Sequence, residues 1–380
     1  MAMFPLSFTT AGLAMCMPSM AADLRLDYAQ QGLVFSAPMW PLVVSLAVAA
    51  IADRIGFRGL LLLASAVQAV GWFVMAEAQT FPQALGAAVL AGIGGSIADP
   101  LLTPIICAVY PERRARMANF LHGFFCVGLA GTAVLVMCLQ PAGFSWRDTL
   151  RIMAALCLPY GLVSVMLTLP RQTHRGEERM KVRSLIGRPV FLLLGLMMIM
   201  AAATEMGPAN WLPTLVQSLV PADGAGAGSN LSAGIGLALF GSLMGAGRFL
   251  AGAIESRIGV RRMLASAAVV CTVCLAAVAL PLGTTFRVAC LAVVGFGVAC
   301  FWPTLLAIAG DRFPQAGATM FSVLSAFGTV GCVVAPVAVG WMATVFGSLS
   351  PALAALALAP AVILVASLRL RGGGRAPDAA

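Results

Sequence analysis

Residues 91–104 read AGIGGSIADPLLTP and place a single carboxylate, Asp99, inside an otherwise apolar run. An ionisable side chain at membrane depth is costly, so it is placed beside a partner or a wet cavity and marks a solute or ion path. Pro100 and Pro104 follow, and each removes a backbone donor from the helix. Such breaks are tolerated at membrane depth where neighbouring groups or cavity water take up the freed carbonyls. The stretch therefore predicts a broken helix with a binding site beside the acid.

A shift of 203 residues repeats the pattern. Gly92, Gly94, Pro100 and Leu102 fall on Gly295, Gly297, Pro303 and Leu305, with Asp99 on Trp302. The same shift puts Arg54, Gly56 and Arg58 on Arg257, Gly259 and Arg261, and Met117, Phe124 and Gly128 on Met320, Phe327 and Gly331. One gap-free offset among glycines, prolines and arginines predicts two homologous halves around a midplane site.

Hydrophobic residues make up 61% of the chain and charged residues 10%, with a mean hydropathy of +0.97. That composition predicts an all-α membrane protein whose first partner is the lipid bilayer. Apolar runs give twelve spans, at 3–22, 29–52, 58–77, 81–109, 115–139, 149–169, 189–219, 231–255, 262–281, 287–309, 318–345 and 350–369. They group into an N-terminal six-helix half (1–170), a polar linker (171–188), a C-terminal six-helix half (189–371) and a Gly-rich tail (372–380) expected to be disordered. The linker suits a cytoplasmic segment, with an amphipathic helix on anionic lipid as one form of it.

Lys and Arg concentrate in the loops on one side of these spans, eighteen against four, which places both termini in the cytoplasm and the protein in a multi-pass plasma membrane, the inner one in a bacterium. The net charge of +9 is explained by this asymmetry, so nucleic acid is excluded as a partner. Span 1 lacks the inner end its repeat partner has, which fits either an unusually short start or a recorded start downstream of the true one. A cleaved signal peptide is the rival, but residues 1–22 have no basic leading region. Ten cysteines scattered through apolar spans predict no disulfide framework, and Cys271 and Cys274 read as two small core residues. There is no phosphate-binding loop, metal cluster or catalytic triad, so no cofactor, metal or enzymatic activity is expected.

Residues 49–58, AAIADRIGFR, resemble the loop motif between the second and third helices of the major facilitator superfamily, with Asp53, Arg54, Gly56 and Arg58 matching. The repeat copy keeps Arg257, Gly259 and Arg261, with Glu255 beside the acid position. The resemblance implies twelve helices in two pseudo-symmetric halves, alternating access, a monomer, and an inner gate built from these residues. Charged pairs bridging helices at that end must separate when it opens, so they set a balance between two states. Arg248, in the eighth span, is placed to reach Glu255 or Asp311 by snorkelling.

Within the superfamily the chain is most similar to the fucose:proton symporter group of sugar permeases. The similarity rests on Gly92, Gly94 and Asp99, on Asn119 and His122, on TEMGPANWLPTL (residues 204–215) with Glu205, Asn210 and Trp211, and on FWPTLLAIAGDRFP (residues 301–314). Thr103 departs from an asparagine often found there, and the proline often near Gly131 is absent.

Burial in low dielectric favours a neutral carboxyl group, so Asp99 and Glu205 are the candidate proton-coupling residues. Glu205 is near the middle of span 7, where Gly207 and Pro208 predict a kink. Asn119 and His122 share a helix face and, with Asn210, Trp211 and Trp302, form the candidate solute site. His122 is equally readable as a packing histidine. These features predict proton-coupled symport of a small polar solute, a sugar above all. The alternative is a drug or metabolite efflux antiporter, which would be expected to carry a glycine-proline motif in span 5; residues 123–137 have no proline.

Overall fold

The computed structural model describes residues 2–167, 169, 182–220 and 227–369. Most of the linker and the whole tail from 370 lie outside them; Val182–Ile186 is a short helix leading into the second half. The regular elements among the described residues are all helices, and ten of them are long and apolar enough to cross a membrane. They correspond to spans 3–12, from Ile55–Ala76 through Leu349–Arg369.

Spans 1 and 2 complete the set as broken helical paths. Span 1 runs through Met3–Leu6, Ser7–Thr9 and Ala11–Leu24. At its break Ser7 and Thr9 donate their hydroxyls to the carbonyls of Phe4 and Leu6, a local bonding that competes with the helix. Span 2 passes through Tyr28–Ser36 and Ala37–Met39 before Leu42, interrupted where Pro38 and Pro41 remove donors. The helix from Leu42 then runs through a kink at Gly56 into span 3.

Gly56 has φ +80° and Gly259 has φ +78°, so the two turns related by the 203-residue shift share a conformation that glycine alone adopts without strain. Gly56→Ala is expected to destabilise the protein by about 1–2 kcal/mol, measured as a lower melting temperature in detergent. The repeat also holds in packing. Gly94 meets Gln68 and Ala64 of span 3, while Gly297 meets Cys271 and Ala267 of span 9, each partner displaced by the same 203 residues. Gly92 lies on Pro38 of span 2 and Gly295 on Phe240 of span 8. The helices approach this closely because these positions carry no side chain.

One expectation is corrected. Span 4, Phe81–Val109, is a continuous helix with Pro100 and Pro104 inside it. Proline removes only its own donor, which leaves the Ser96 and Pro100 carbonyls without intrahelical partners while neighbouring turns hold the helix. Span 7, Pro189–Ser218, likewise continues through Pro208 and Pro213. None of the ten cysteines forms a disulfide.

The two ends of the bundle differ. At the end away from the basic turns the halves are packed together: Gly32 lies on Pro336 and Val337, Gly340 on Tyr28, and Trp211 against Phe35 and Tyr28 at ring distances of 5.0 and 6.1 Å. Capping boxes at Asp27 and Ser145 start spans 2 and 6 there. Arg147 donates to the carbonyls of Ala76 and Ala78 at the end of span 3, and Arg151 pairs with Glu77 at 2.7 Å and Asp148 at 2.9 Å. Toward the opposite, basic end, Asp99 of span 4 is solvent-accessible.

Candidate functional site

Asp99 of span 4 is exposed, and one turn on, Thr103 brings its hydroxyl to 3.3 Å from Nε2 of His122 on span 5. The His122 ring is exposed rather than packed. Its own backbone carbonyl accepts a hydrogen bond of 3.0 Å from Nη1 of Arg248, which comes from span 8 in the other half. Arg248 is thus turned toward span 5, not toward Glu255 or Asp311 as snorkelling predicts. A carbonyl of the facing helix supplies an acceptor at that depth, so the side chain has no need to climb toward the surface.

Glu205, on span 7, is buried, with 7% of its surface accessible, and the Arg248 charge acts on it without a direct ion pair between them. Nε of Arg248 is buried and unbonded. The two membrane-depth acids come one from each half, Asp99 from span 4 and Glu205 from span 7. Thr103, His122 and Arg248, from spans 4, 5 and 8, are thus joined by hydrogen bonds, with Asp99 one turn before Thr103.

Two expected solute contacts are placed elsewhere. Trp211 is fully buried, its indole N–H donates to the Pro336 carbonyl at 3.2 Å, and Phe35 and Tyr28 pack against it. No ring face is left for stacking, which corrects the sugar-platform role in this conformation. Asn210 is buried on the same helix with Oδ1 unbonded, as is the hydroxyl of Thr214 one turn further. Trp302 is half-buried and packs on Gly328 of span 11. The side chain of Asn119 lies outside the described residues.

The candidate gate is described in part. The side chains of Asp53 and Arg54 are outside the described residues. Arg58 is exposed, and its carbonyl accepts from Ser164 of span 6 at 3.5 Å. Among the described residues Glu255 makes no ion pair, Arg257 is exposed, and Arg261 donates to the Leu368 carbonyl at 2.6 Å. Sequence reasoning missed Thr103, whose only signal was a departure from the expected asparagine.

The family model described as Major Facilitator Superfamily matches residues 1–286 and 219–378. No curated protein matches the chain. Among solved structures, the nucleoside transporter NupG is similar at 15% identity and a TM-score of 0.79, with 97% of this chain and 98% of that one covered. A bacterial homologue of the human lysosomal transporter Spinster, in an inward-facing and occupied conformation, is similar at 16% identity and a TM-score of 0.76, covering 96% and 93%. Its inward-facing, unoccupied form gives 16% and 0.77, covering 96% and 95%. At such identities these likenesses speak for the fold. With a family model spanning both halves, the 203-residue repeat in sequence and packing, and twelve crossings, the chain belongs to the major facilitator superfamily.

Proposed function

We propose that this transporter moves a small polar solute, a sugar or a sugar-bearing compound, together with protons, by rocking its two halves about the site at Asp99 and Glu205. The observation that carries the reading is a pair of carboxylates at membrane depth, one in each half, of which Asp99 is exposed and Glu205 buried. A symporter needs a proton acceptor that faces water in one state and is enclosed in the other. In this conformation Asp99 is the exposed candidate and Glu205 the enclosed one.

The basic end, toward which Asp99 is exposed, is assigned to the cytoplasm by its excess of arginine, so the conformation is inward-open. Asp53, Arg54, Arg58, Glu255, Arg257 and Arg261 would then close that end in the opposite state. The glycines at positions 56 and 259 set their turns, and the unbonded Asn210 and Thr214 would meet water or solute when the far end opens. His122 and Trp302 line the proposed solute path, and a hydroxyl-rich solute suits the mixture of carboxylate, imidazole and hydroxyl groups there. The resemblance to the fucose:proton symporter group points to sugars, and the fold likeness to a nucleoside transporter adds ribose-bearing solutes to those worth testing.

The test is internal pH in proteoliposomes on adding hexoses, 6-deoxyhexoses, amino sugars and nucleosides. A solute-dependent proton flux is expected with at least one class. Silence across the panel from folded, correctly oriented protein would refute the reading and favour efflux of apolar compounds.

A further inference from the structure

Spans 9 and 10 bring together two cysteines that the sequence does not pair. Span 9, Val260–Ala277, leads away from the basic end, and the outer segment of span 10, Gly283–Val298, returns beside it. Cys271 sets their register: its Sγ donates to the Val294 carbonyl at 3.8 Å and packs on Gly297. One turn on along span 9 is Cys274, and one turn back along span 10 is Cys290, so the same two faces meet at the next level. There the Cys274 and Cys290 thiols are hydrogen-bond partners, Cys274 half-buried and Cys290 buried. The CxxC of the sequence is thus divided, with Cys271 turned to a backbone carbonyl and Cys274 to a thiol on the next helix.

We propose that Cys274 and Cys290 are a modification site, closing to a disulfide that staples the outer segment of span 10 to span 9. Cys274 lies one turn before the end of its helix at Ala277, and Cys290 two turns after the start of its own at Gly283. Both are therefore within about 10 Å of the connecting turn. On the orientation set by the arginines that turn faces outward, where thiols meet an oxidising environment. Span 10 breaks after Val298 and resumes at Phe301, so the staple fixes the outer segment and leaves Phe301–Arg312, with Trp302, untied. Among the described residues no group of three or more histidine, cysteine or acidic side chains is placed to hold a metal ion, so two-thiol chemistry is what the pair offers.

The oxidant is an apolar organic disulfide, which enters the outer membrane region. Cys274, the less buried thiol, loses its proton and attacks one sulfur of that disulfide, whose S–S bond breaks and releases one thiolate. Cys290 then loses its proton and attacks Sγ of Cys274 in the mixed disulfide, and the second thiolate leaves. The two protons pass to the two released thiolates. Two protein thiols are oxidised and one external disulfide is reduced to two thiols.

The test treats the full-length protein in detergent with dipyridyl disulfide and locates the products by mass spectrometry of its peptides. The peptides containing Cys274 and Cys290 are expected to be joined, with neither carrying a pyridyl adduct. Cys290→Ser is expected to stop at the pyridyl adduct on Cys274. The oxidised parent should melt about 3–5 °C above the reduced parent, as closure of a loop of about 17 residues implies, and the reducing agent should reverse the gain.

Pyridyl adducts that persist on either thiol of the parent would overturn the proposal, as would a link between Cys271 and Cys274 or no reaction at the pair. A link without a rise in melting temperature would overturn the staple. The parent alone carries these readings, so they stand if the serine variant fails to fold. None of them depends on the solute or on proton coupling, so failure here leaves the transport reading in place.

Discussion

Asp99→Asn is expected to abolish proton-driven accumulation of the solute while leaving exchange of solute for solute intact. The amide keeps the shape and most hydrogen-bonding capacity of the carboxyl group but cannot take up a proton. One pH unit is worth 1.36 kcal/mol, so one-for-one symport across about two units can concentrate a solute about 100-fold. The variant should bring that ratio to about 1. Asp99 is chosen over Glu205 for this test because it is exposed while Glu205 is buried. Accumulation at the parent level in Asp99→Asn would remove the residue from the proton path. Loss of exchange as well would make it a binding group rather than a coupling group. The measurement is labelled-solute uptake and counterflow in proteoliposomes, with the solute found in the panel above.

A large structural effect is expected at Gly94. A β-carbon there would meet the Gln68 amide nitrogen at 2.5 Å, the Ala64 carbonyl oxygen at 2.6 Å and the Gln68 β-carbon at 2.7 Å. Two of these are backbone atoms of span 3 and cannot turn aside, so spans 3 and 4 must separate. Gly94→Ala should cost about 3 kcal/mol, beyond the helix-propensity gain of about 1 kcal/mol that alanine brings. The repeat provides the control. At Gly297 the β-carbon meets the Cys271 sulfur, and the nearest backbone atom, the Ala267 oxygen, is at 3.4 Å. Gly297→Ala should therefore cost about 1 kcal/mol, and adding Cys271→Ala should restore the parent stability. Thermal unfolding in detergent, followed by the monodisperse fraction, reads all three variants. Equal losses at Gly94 and Gly297 would mean that the helix contacts are looser than the structure shows.

The fold was legible because its signals are local or periodic. Hydropathy located the crossings, while the breaks in spans 1 and 2, at Ser7, Thr9, Pro38 and Pro41, emerged only in the structure. The shift of 203 residues announced two halves, and the glycines that carried it prove to be the points where helices touch. Prolines misled where they suggested a break in span 4, because a long helix held by its neighbours absorbs two missing donors without leaving the helical conformation.

Much of the site was not legible for the same physical reason. The sequence by itself determined that Asp99, Glu205, His122 and Arg248 lie at membrane depth, since depth follows from position along an apolar run. What each of them touches depends on how its helix is rotated, tilted and paired with helices more than a hundred residues away. Only the tertiary structure decided that Trp211 is enclosed by Phe35 and Tyr28, that Thr103 partners His122, and that Arg248 bonds across the halves instead of reaching Glu255. Helix rotation is set by the sum of many small packing contacts, none of which is written in the identity of the polar residue it finally orients.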